Sequence, residues 1–348
     1  MAAKKQAAPV SNVKSDRALY IGIDLGTSRS AIVASNGKRQ WVQSYVGWPK
    51  DFVAKKMLGR DVLFGSDALE NRLSLKLTRP LEQGVIRDGT QRDEDAVRAL
   101  VHHLIEQVNP GKATEIYAAV GVPAEALRVN KLAIRNAVKE YADSLMVVSE
   151  PFAVAYGLGT LNNALVIDIG AGTADFCIMH GTMPGEEDQR TITVAGDYLD
   201  QQLQDRLSER YPTASFSRTM VRSFKEEYGF IGAHRERVKV KVPINGTSTV
   251  LDVTSEIRSV CEGLVPVLAE AIMDLIARYE PDFQEEVKQN VFLAGGGSQI
   301  KGLAEGLTEE LKEFGAFTIR SIEDPLYAGA EGALALAQDM PEEYWENM

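Results

Sequence analysis

The sequence predicts an α/β protein of two related half-domains that close on one ligand, each half carrying a small insertion. Three observations carry this expectation. The run Asn163-Ala-Leu-Val-Ile-Asp-Ile reads as a strand buried on both faces, and Gly170, Ala171 and Gly172 follow it at once. The segment Ile23-Asp-Leu-Gly-Thr-Ser-Arg-Ser-Ala-Ile-Val matches Ile167-Asp-Ile-Gly-Ala-Gly-Thr-Ala-Asp-Phe-Cys, so strand, acidic glycine turn and strand occur twice. A third glycine turn, Ala294-Gly-Gly-Gly-Ser, follows a strand over residues 291–293.

The residue types at these turns point to phosphate. Glycine takes positive φ without a Cβ clash, so successive amides converge on an oxyanion, and Thr173 adds a hydroxyl donor. Asp168 sits where strand meets turn, placed to hold the waters of a Mg²⁺ ion, with Asp24 of the other copy facing it across the metal. Glu150 lies one helix upstream of the second turn. A single Asp-x-Gly at a strand end is equally a plain tight turn; two copies far apart in sequence favour the shared site.

Taken in order, residues 1–17 carry scattered Lys4, Lys5, Lys14 and Arg17 and no apolar core of a secretion signal, and read as a disordered basic tail. Residues 18–24 form the first strand, and 31–35 return in a hairpin closed near Asn36-Gly37. From 47 to 80 periodic burial gives way to mixed charge, as in a small inserted subdomain. Residues 93–108 have helical apolar spacing, 117–122 read as a buried strand, and 124–141 as a helix. Beyond the central stretch a strand covers 191–195, Gly196-Asp197 makes a turn, and 198–211 form an amphipathic helix. A helix over 221–228 and the alternating run Arg237-Val-Lys-Val-Lys-Val mark a second insertion. One long helix is expected over 256–279, and 339–348 form an acidic, aromatic tail of unassigned role.

Composition narrows the function. The 348 residues suffice for two cores, and the 45% apolar content supports them. A formal charge of −11 disfavours a nucleic-acid coat or a basic membrane-binding surface. Cys177 and Cys261 lie in apolar contexts and read as free, buried thiols of a reducing compartment. His102, His103, His180 and His234 show no metal-ligand spacing. The longest uncharged stretch, residues 151–167, is interrupted by Gly157, Gly159, Asn162 and Asn163, so no membrane insertion is expected. The protein reads as soluble and cytoplasmic.

With three glycine turns, two of them repeated and acidic, residues 18–338 resemble the actin, Hsp70 and sugar-kinase ATPase superfamily. The motifs are GIDLGTS at 22–28, DIGAGT at 168–173, VRSFKEEYG at 221–229 and AGGGS at 294–298. The blocks EPFAVAYG and AGDYLD are similar to the MreB group of bacterial actins. SEPFAVAYGL, LNN, DIGAGT and PGEEDQ are similar to its magnetosome-associated, filament-forming branch. The resemblance implies an actin-like ATPase fold of two RNase H-like half-domains flanking a nucleotide cleft. Half I would span 18–157 and 324–348 with its insertion at 47–80, and half II 158–323 with its insertion at 198–255. The implied ligands are ATP or ADP with Mg²⁺.

By the same resemblance Asp24 and Asp168 position Mg²⁺, and Gly26, Thr27, Ser28, Gly170, Ala171, Gly172 and Thr173 hold phosphates. Glu150 orients the attacking water. Lys225 with Glu226 or Glu227 borders the adenosine, and Gly295, Gly296, Gly297 and Ser298 close over adenine and the α-phosphate. Two departures stand out: Ala174 replaces a second Thr common in relatives, and Arg29 lies near the place where eukaryotic actin has a phosphate-binding Lys.

The implied function is a cytoskeletal ATPase forming ATP-dependent, head-to-tail filaments along a magnetosome chain, with magnetosome-associated linker proteins as partners. The alternatives are an MreB-like cell-shape filament and a metabolite kinase on the same scaffold. An Hsp70-like chaperone would need a peptide-binding domain after the ATPase, and an MreB-like wall organiser an apolar anchor that residues 1–17 do not supply.

Overall fold

A computed structural model of the chain describes residues 18–83, 85–86, 91–109, 115–233 and 236–347. The basic tail expected at 1–17, and His234, lie outside the described residues.

The first half opens with an antiparallel meander of β1 (Ala18–Leu25), β2 (Arg29–Ala34) and β3 (Arg39–Gln43). Gly37, at φ 82°, closes its second turn, as the Asn-Gly pair predicts. The chain then leaves the sheet to build a small lobe from β4 (Val46–Pro49), α1 (Phe52–Leu58), β5 (Leu63–Phe64), α2 (Gly65–Glu70) and β6 (Leu75–Thr78). Leu63, Ala68 and Leu75 give this lobe its own core. The Asp51 carboxylate caps α1 by accepting from the Val53 and Ala54 amides. A short hairpin, β7 (Leu81–Glu82) and β8 (Val85–Ile86), leads into α3 (Gln91–Val108), β9 (Glu115–Val122), α4 (Ala124–Val138) and β10 (Ser144–Ser149). β9 lies parallel to β1, and β10 parallel to β9.

α5 (Glu150–Leu158) carries the chain into the second half, where β11 (Asn162–Ile169), β12 (Ala174–His180) and β13 (Gln189–Ile192) repeat the antiparallel meander. α6 (Gly196–Arg210), α7 (Arg218–Tyr228), the hairpin β14 (Lys239–Ile244) and β15 (Thr247–Asp252), and α8 (Thr254–Glu262) follow. Next come α9 (Leu264–Arg278), α10 (Gln284–Lys288), β16 (Val291–Ala294), α11 (Leu303–Leu311) and β17 (Ile319–Ser321). β16 and β17 extend the second sheet in parallel, in the order β13-β12-β11-β16-β17. α12 (Ala328–Asp339) returns to the first half, and β18 (Glu346–Asn347) pairs antiparallel with β10. The acidic tail thus becomes the edge of the first sheet, anchored by buried Trp345 edge-on to Tyr117.

The strand alternation decides where the acidic groups point. On β1, Leu19, Ile21 and Ile23 pack with α3 and α4, which puts Tyr20, Gly22 and Asp24 on the opposite face, toward α12. On β11, Leu165, Ile167 and Ile169 face the core of the second half, while Ala164 and Val166 pack with residues of α5 and α12, and Asp168 shares their face. A core drawn from both sheets therefore surrounds α5 and α12.

These two helices cross with backbones touching. A Cβ on Gly332 would fall 1.8 Å from the Ala153 carbonyl oxygen, and one on Gly22 would fall 2.1 Å from that of Ala330. Neither neighbour is a side chain that can swing away.

Three local expectations change. Gly196-Asp197 is not a turn but the start of α6, because tertiary hydrogen bonds to both residues hold them helical. The strand expected at 191–195 ends at Ile192, before that helix. The single helix expected over 256–279 is two helices, α8 and α9, meeting at Gly263. Pro266, in the first turn of α9, has no N–H to continue the ladder.

Substituting Gly332→Ala should destabilise the protein by about 1–3 kcal/mol, the cost of overpacking a site that cannot open. Denaturant unfolding measures it; an unchanged midpoint would show that the helices can separate freely.

Candidate functional site

A cavity of about 270 Å³ lies between the halves, with Asp24, Glu150, Asp168 and the three glycine turns in its walls. Its suitability for an anion follows from where the turn carbonyls go. The Ser44 hydroxyl donates to the Gly26 carbonyl at 2.7 Å, the Arg79 Nε–H to that of Thr27 at 2.8 Å, and the Ser44 amide to that of Ser28 at 2.9 Å. In the second turn the Gly196 amide donates to the Gly170 carbonyl at 3.1 Å and the Asp197 amide to that of Ala171 at 2.7 Å. All these peptides are trans. In a trans unit the N–H points opposite to the C=O, so pinning the carbonyls into the body turns the amides of Thr27, Ser28 and Arg29, and of Ala171 and Gly172, the other way. The result is two facing nests of N–H donors suited to an anion.

The Thr173 hydroxyl is engaged elsewhere: it donates to Asp175 Oδ2 at 2.7 Å. Asp175 also accepts from the Thr191 hydroxyl at 2.6 Å and from the Ala124 amide at 3.0 Å, which ties the second turn to the start of α4 in the other half. Gly295, at φ 71°, approaches so closely that a Cβ there would lie 2.4 Å from Asp168 Oδ1. Ser298 is buried behind this third turn and donates to the Gly295 carbonyl at 2.7 Å, bracing the loop, while Gly296, Gly297 and Gln299 line the cavity.

Four carboxylates gather behind the turns. Burial pushes Asp24 up to about 7, and a hydrogen bond from Glu150 offsets part of that rise. Glu150 itself is raised well above the usual carboxylate range by burial, then by the charges of Asp24, Asp168 and Asp175. Asp168 is raised by burial and by Asp24 and Asp175. Glu150 Oε1 is buried with no hydrogen-bond partner. An unpartnered buried oxygen beside repelling carboxylates is a site that gains from a cation or an ordered water. Among the described residues no group of three or more His, Cys, Asp or Glu side chains forms a direct metal shell. The set therefore fits a hydrated Mg²⁺ that keeps its waters and uses Asp24 and Asp168.

On the opposite wall Lys225 and Glu226 face the cavity, whereas exposed Glu227 lies outside it, hydrogen-bonded to Tyr228. Lys225 is committed to the protein: its Nζ donates to the Gly196 carbonyl at 2.6 Å and meets Asp200 at 2.7 Å. Glu226 pairs with Arg29 of the other half at 3.0 Å, but both side chains are over two-fifths exposed, so this pair contributes little stability.

Sequence reasoning passed over Arg79, Asp175, Asp197, Asp200 and Arg222. Asp175 was within reach, since it occupies the repeat position of Ala31 opposite Asp168, where Ala31 stands opposite Asp24. Asp197, Asp200 and Arg222 lie within the AGDYLD and VRSFKEEYG blocks, where the motif marks the segment but not which side chain reaches the other half, and Arg79 lies in no motif.

A family model described as MreB/Mbl protein matches residues 18–344. The chain is 41% identical over 327 residues to "Actin-like protein MamK" of Magnetospirillum gryphiswaldense, covering 94% of this chain and 91% of that protein. The "MamK double helical filament" structure superposes with a TM-score of 0.90 at 40% identity, covering 93% of this chain and all of that one. A non-polymerising MamK mutant bound to AMPPNP gives a TM-score of 0.73 at 40% identity, covering 93% and 99%. The chain belongs to the MreB/Mbl family of actin-like proteins.

The carboxylate cluster sets a pH dependence. Carboxyls with ordinary values near 4 in the unfolded chain hold their protons to higher pH when folded, so the folded state binds more protons between about pH 4 and 7 and its stability falls as pH rises through that window. Glu150→Gln should flatten this fall and raise the ligand-free melting temperature near pH 7.5 by about 2 °C or more. Thermal melts at several pH values check it; a variant curve parallel to that of the parent would remove Glu150 from the cluster.

Proposed function

We propose that this member of the MreB/Mbl family forms ATP-dependent filaments and hydrolyses the bound nucleotide to drive their turnover. The observation that carries the nucleotide reading is the pair of facing amide nests, one from each half, in front of Asp24, Asp168 and Glu150. The AMPPNP-bound and filamentous relatives support it. Asp24 and Asp168 would hold hydrated Mg²⁺, which when bound would neutralise charge on the phosphate oxygens. The turn amides orient the phosphates, Glu226 borders the nucleoside, and Glu150 orients the attacking water. Phosphoryl transfer asks mainly for such positioning and charge stabilisation. Hydrolysis in the free monomer is slow, and closure of the halves by a neighbouring subunit moves Glu150 into line.

The filament contact draws on the first inserted lobe and on a surface of the second half outside its insertion. On the first, Phe52, Met57 and Leu73 are 79%, 81% and 84% exposed, with Lys50, Lys55 and Lys56 beside them. The second half presents exposed Phe283 and Phe314 among Glu280, Asp282 and Glu313. Apolar tips of opposite charge on one chain suit a head-to-tail contact, which gives an open filament when its rotation does not close. The resemblance to the magnetosome-associated branch supports a role for these filaments along a magnetosome chain, with linker proteins as partners. Among the described residues no helix is long and apolar enough to cross a membrane.

Sedimentation with Mg²⁺ and ATP, read beside phosphate release, tests the proposal. The parent protein should pellet and turn over. Glu150→Ala should still pellet while phosphate release drops about 10²- to 10⁴-fold, since a water-orienting group contributes to rate rather than to nucleotide affinity. Loss of both in a folded variant would make Glu150 structural. Met57→Glu should have the opposite signature, retaining nucleotide binding while the concentration needed for assembly rises about tenfold, roughly the effect of 1.4 kcal/mol lost per contact. A labelled copy that stays diffuse in a magnetosome-forming cell would remove the cellular assignment alone.

A further inference from the structure

Arg79 is the residue at which the chain leaves the first inserted lobe, one position after β6. Its guanidinium reaches in two directions. Nε donates to the Thr27 carbonyl at 2.8 Å, and the terminal nitrogens fork onto Asp197 at 2.6 and 3.3 Å. Asp197 belongs to the other half, where its amide donates to the Ala171 carbonyl at 2.7 Å. One side chain therefore links the first phosphate turn, through Asp197, to the second. The arrangement is built rather than incidental. Arg79 and Asp197 side chains are only 16% and 19% exposed, so the pair escapes most solvent screening. Asp197 is oriented from its own half by Arg222 at 2.9 Å, and Arg222 is in turn fixed by Asp200 at 3.1 Å and by the Tyr45 hydroxyl of the first half at 3.1 Å.

We propose that Arg79 is a positioning residue that latches the two halves together and, through the Thr27 carbonyl, sets the first phosphate turn in its donor geometry only when the cleft is closed. The inference rests on the nucleotide reading of the site for its catalytic consequence, though not for the latch itself. Its physical basis is the peptide plane. The Thr27 carbonyl and the Ser28 amide belong to one rigid unit, so the bond from Arg79 fixes where the Ser28 N–H points. When the halves part, Asp197 withdraws from the fork, the guanidinium is no longer held, and the peptide is free to turn. Because Arg79 follows the lobe directly, a contact that shifts the lobe moves the guanidinium with it. Lysine cannot substitute, since a single ammonium on a flexible stem lacks the planar fork that serves a carbonyl and a carboxylate at once.

The test uses the full chain with Ser66→Cys and Ser248→Cys as spin-label sites, one exposed position on each inserted lobe; Cys177 and Cys261 are buried. Distances are read without nucleotide, below the assembly concentration. Arg79→Met and Arg79→Lys should both lengthen and broaden the distance distribution and lower kcat for phosphate release at least about fivefold, the low end of site-to-site coupling, with a smaller change in KM. The double variant Arg79→Met/Asp197→Asn should fall short of the sum of the two single variants in both readouts, since the Arg79–Asp197 fork is lost only once while Asp197→Asn also weakens the bond from Arg222. The latch is overturned if distances in Arg79→Met equal those of the parent, if Arg79→Lys restores kcat to within about twofold, or if the double variant is additive. If the labelled parent fails to bind or hydrolyse ATP, the nucleotide reading falls, and the distances alone decide the latch.

Discussion

Gly157 and Gly332 allow α5 and α12 to cross with no side chain between their backbones, and the geometry of the cleft hangs on that contact. Gly332 approaches the Ala153 carbonyl, and Gly22 of β1 approaches the Ala330 carbonyl, so α12 is drawn tightly against the first sheet and α5 against α12. The same core includes Val166 and Cys177 of the second sheet, which makes the crossing the shared floor of both halves. Glu150 is the first residue of α5, and Gly329 near the start of α12 lies so close that a Cβ there would meet Asp24 Oδ2 at 2.8 Å. The packing that joins the halves also places the two acids. Close-packed interiors transmit such constraints because they have no slack in which to absorb a displaced backbone.

A cluster of buried carboxylates at that floor works against folding. Asp24, Glu150, Asp168 and Asp175 stand near enough to raise one another, and only Asp175 is fully engaged by hydroxyl and amide donors. The division is chemical. Asp175 is engaged by donors that join the second turn to α4, whereas burial and mutual repulsion raise the other three. Strongly perturbed carboxyls in a cleft, held there by rigid strands and a helix start, are what a charge-handling site requires.

The walls of the cleft come from different kinds of structure. The phosphate nests are backbone, oriented by donors that hold their carbonyls away from the cavity. The lobes beyond are side-chain surfaces, apolar and charged, with the first carrying its own small core. The two are connected physically at Arg79 and at the Arg222–Tyr45 bond, so that lobe position and turn geometry are not independent. Arg79 and Arg222 are thus short, direct links between the two walls of the cleft.

The sequence by itself determined the elements whose signals are local. The repeated acidic glycine turns, the strands beside them, the hairpin at Asn36-Gly37 and the central Glu150 helix could be read because period, apolar run length and glycine placement are set within a dozen residues. Asp24, Glu150, Asp168 and the three turns were legible for the same reason. Only the tertiary structure decided that Thr173 spends its hydroxyl on Asp175, that Lys225 braces Asp200 and the Gly196 carbonyl, and that Glu226 rather than Glu227 faces the cavity. Gly196-Asp197 became helical under ion pairs from Arg79 and Arg222, 118 and 25 residues away, and the acidic tail became a sheet edge only through β10. A hydrogen bond between distant segments leaves no periodic trace in either, so the partners of a charged side chain are fixed by the fold that brings them together.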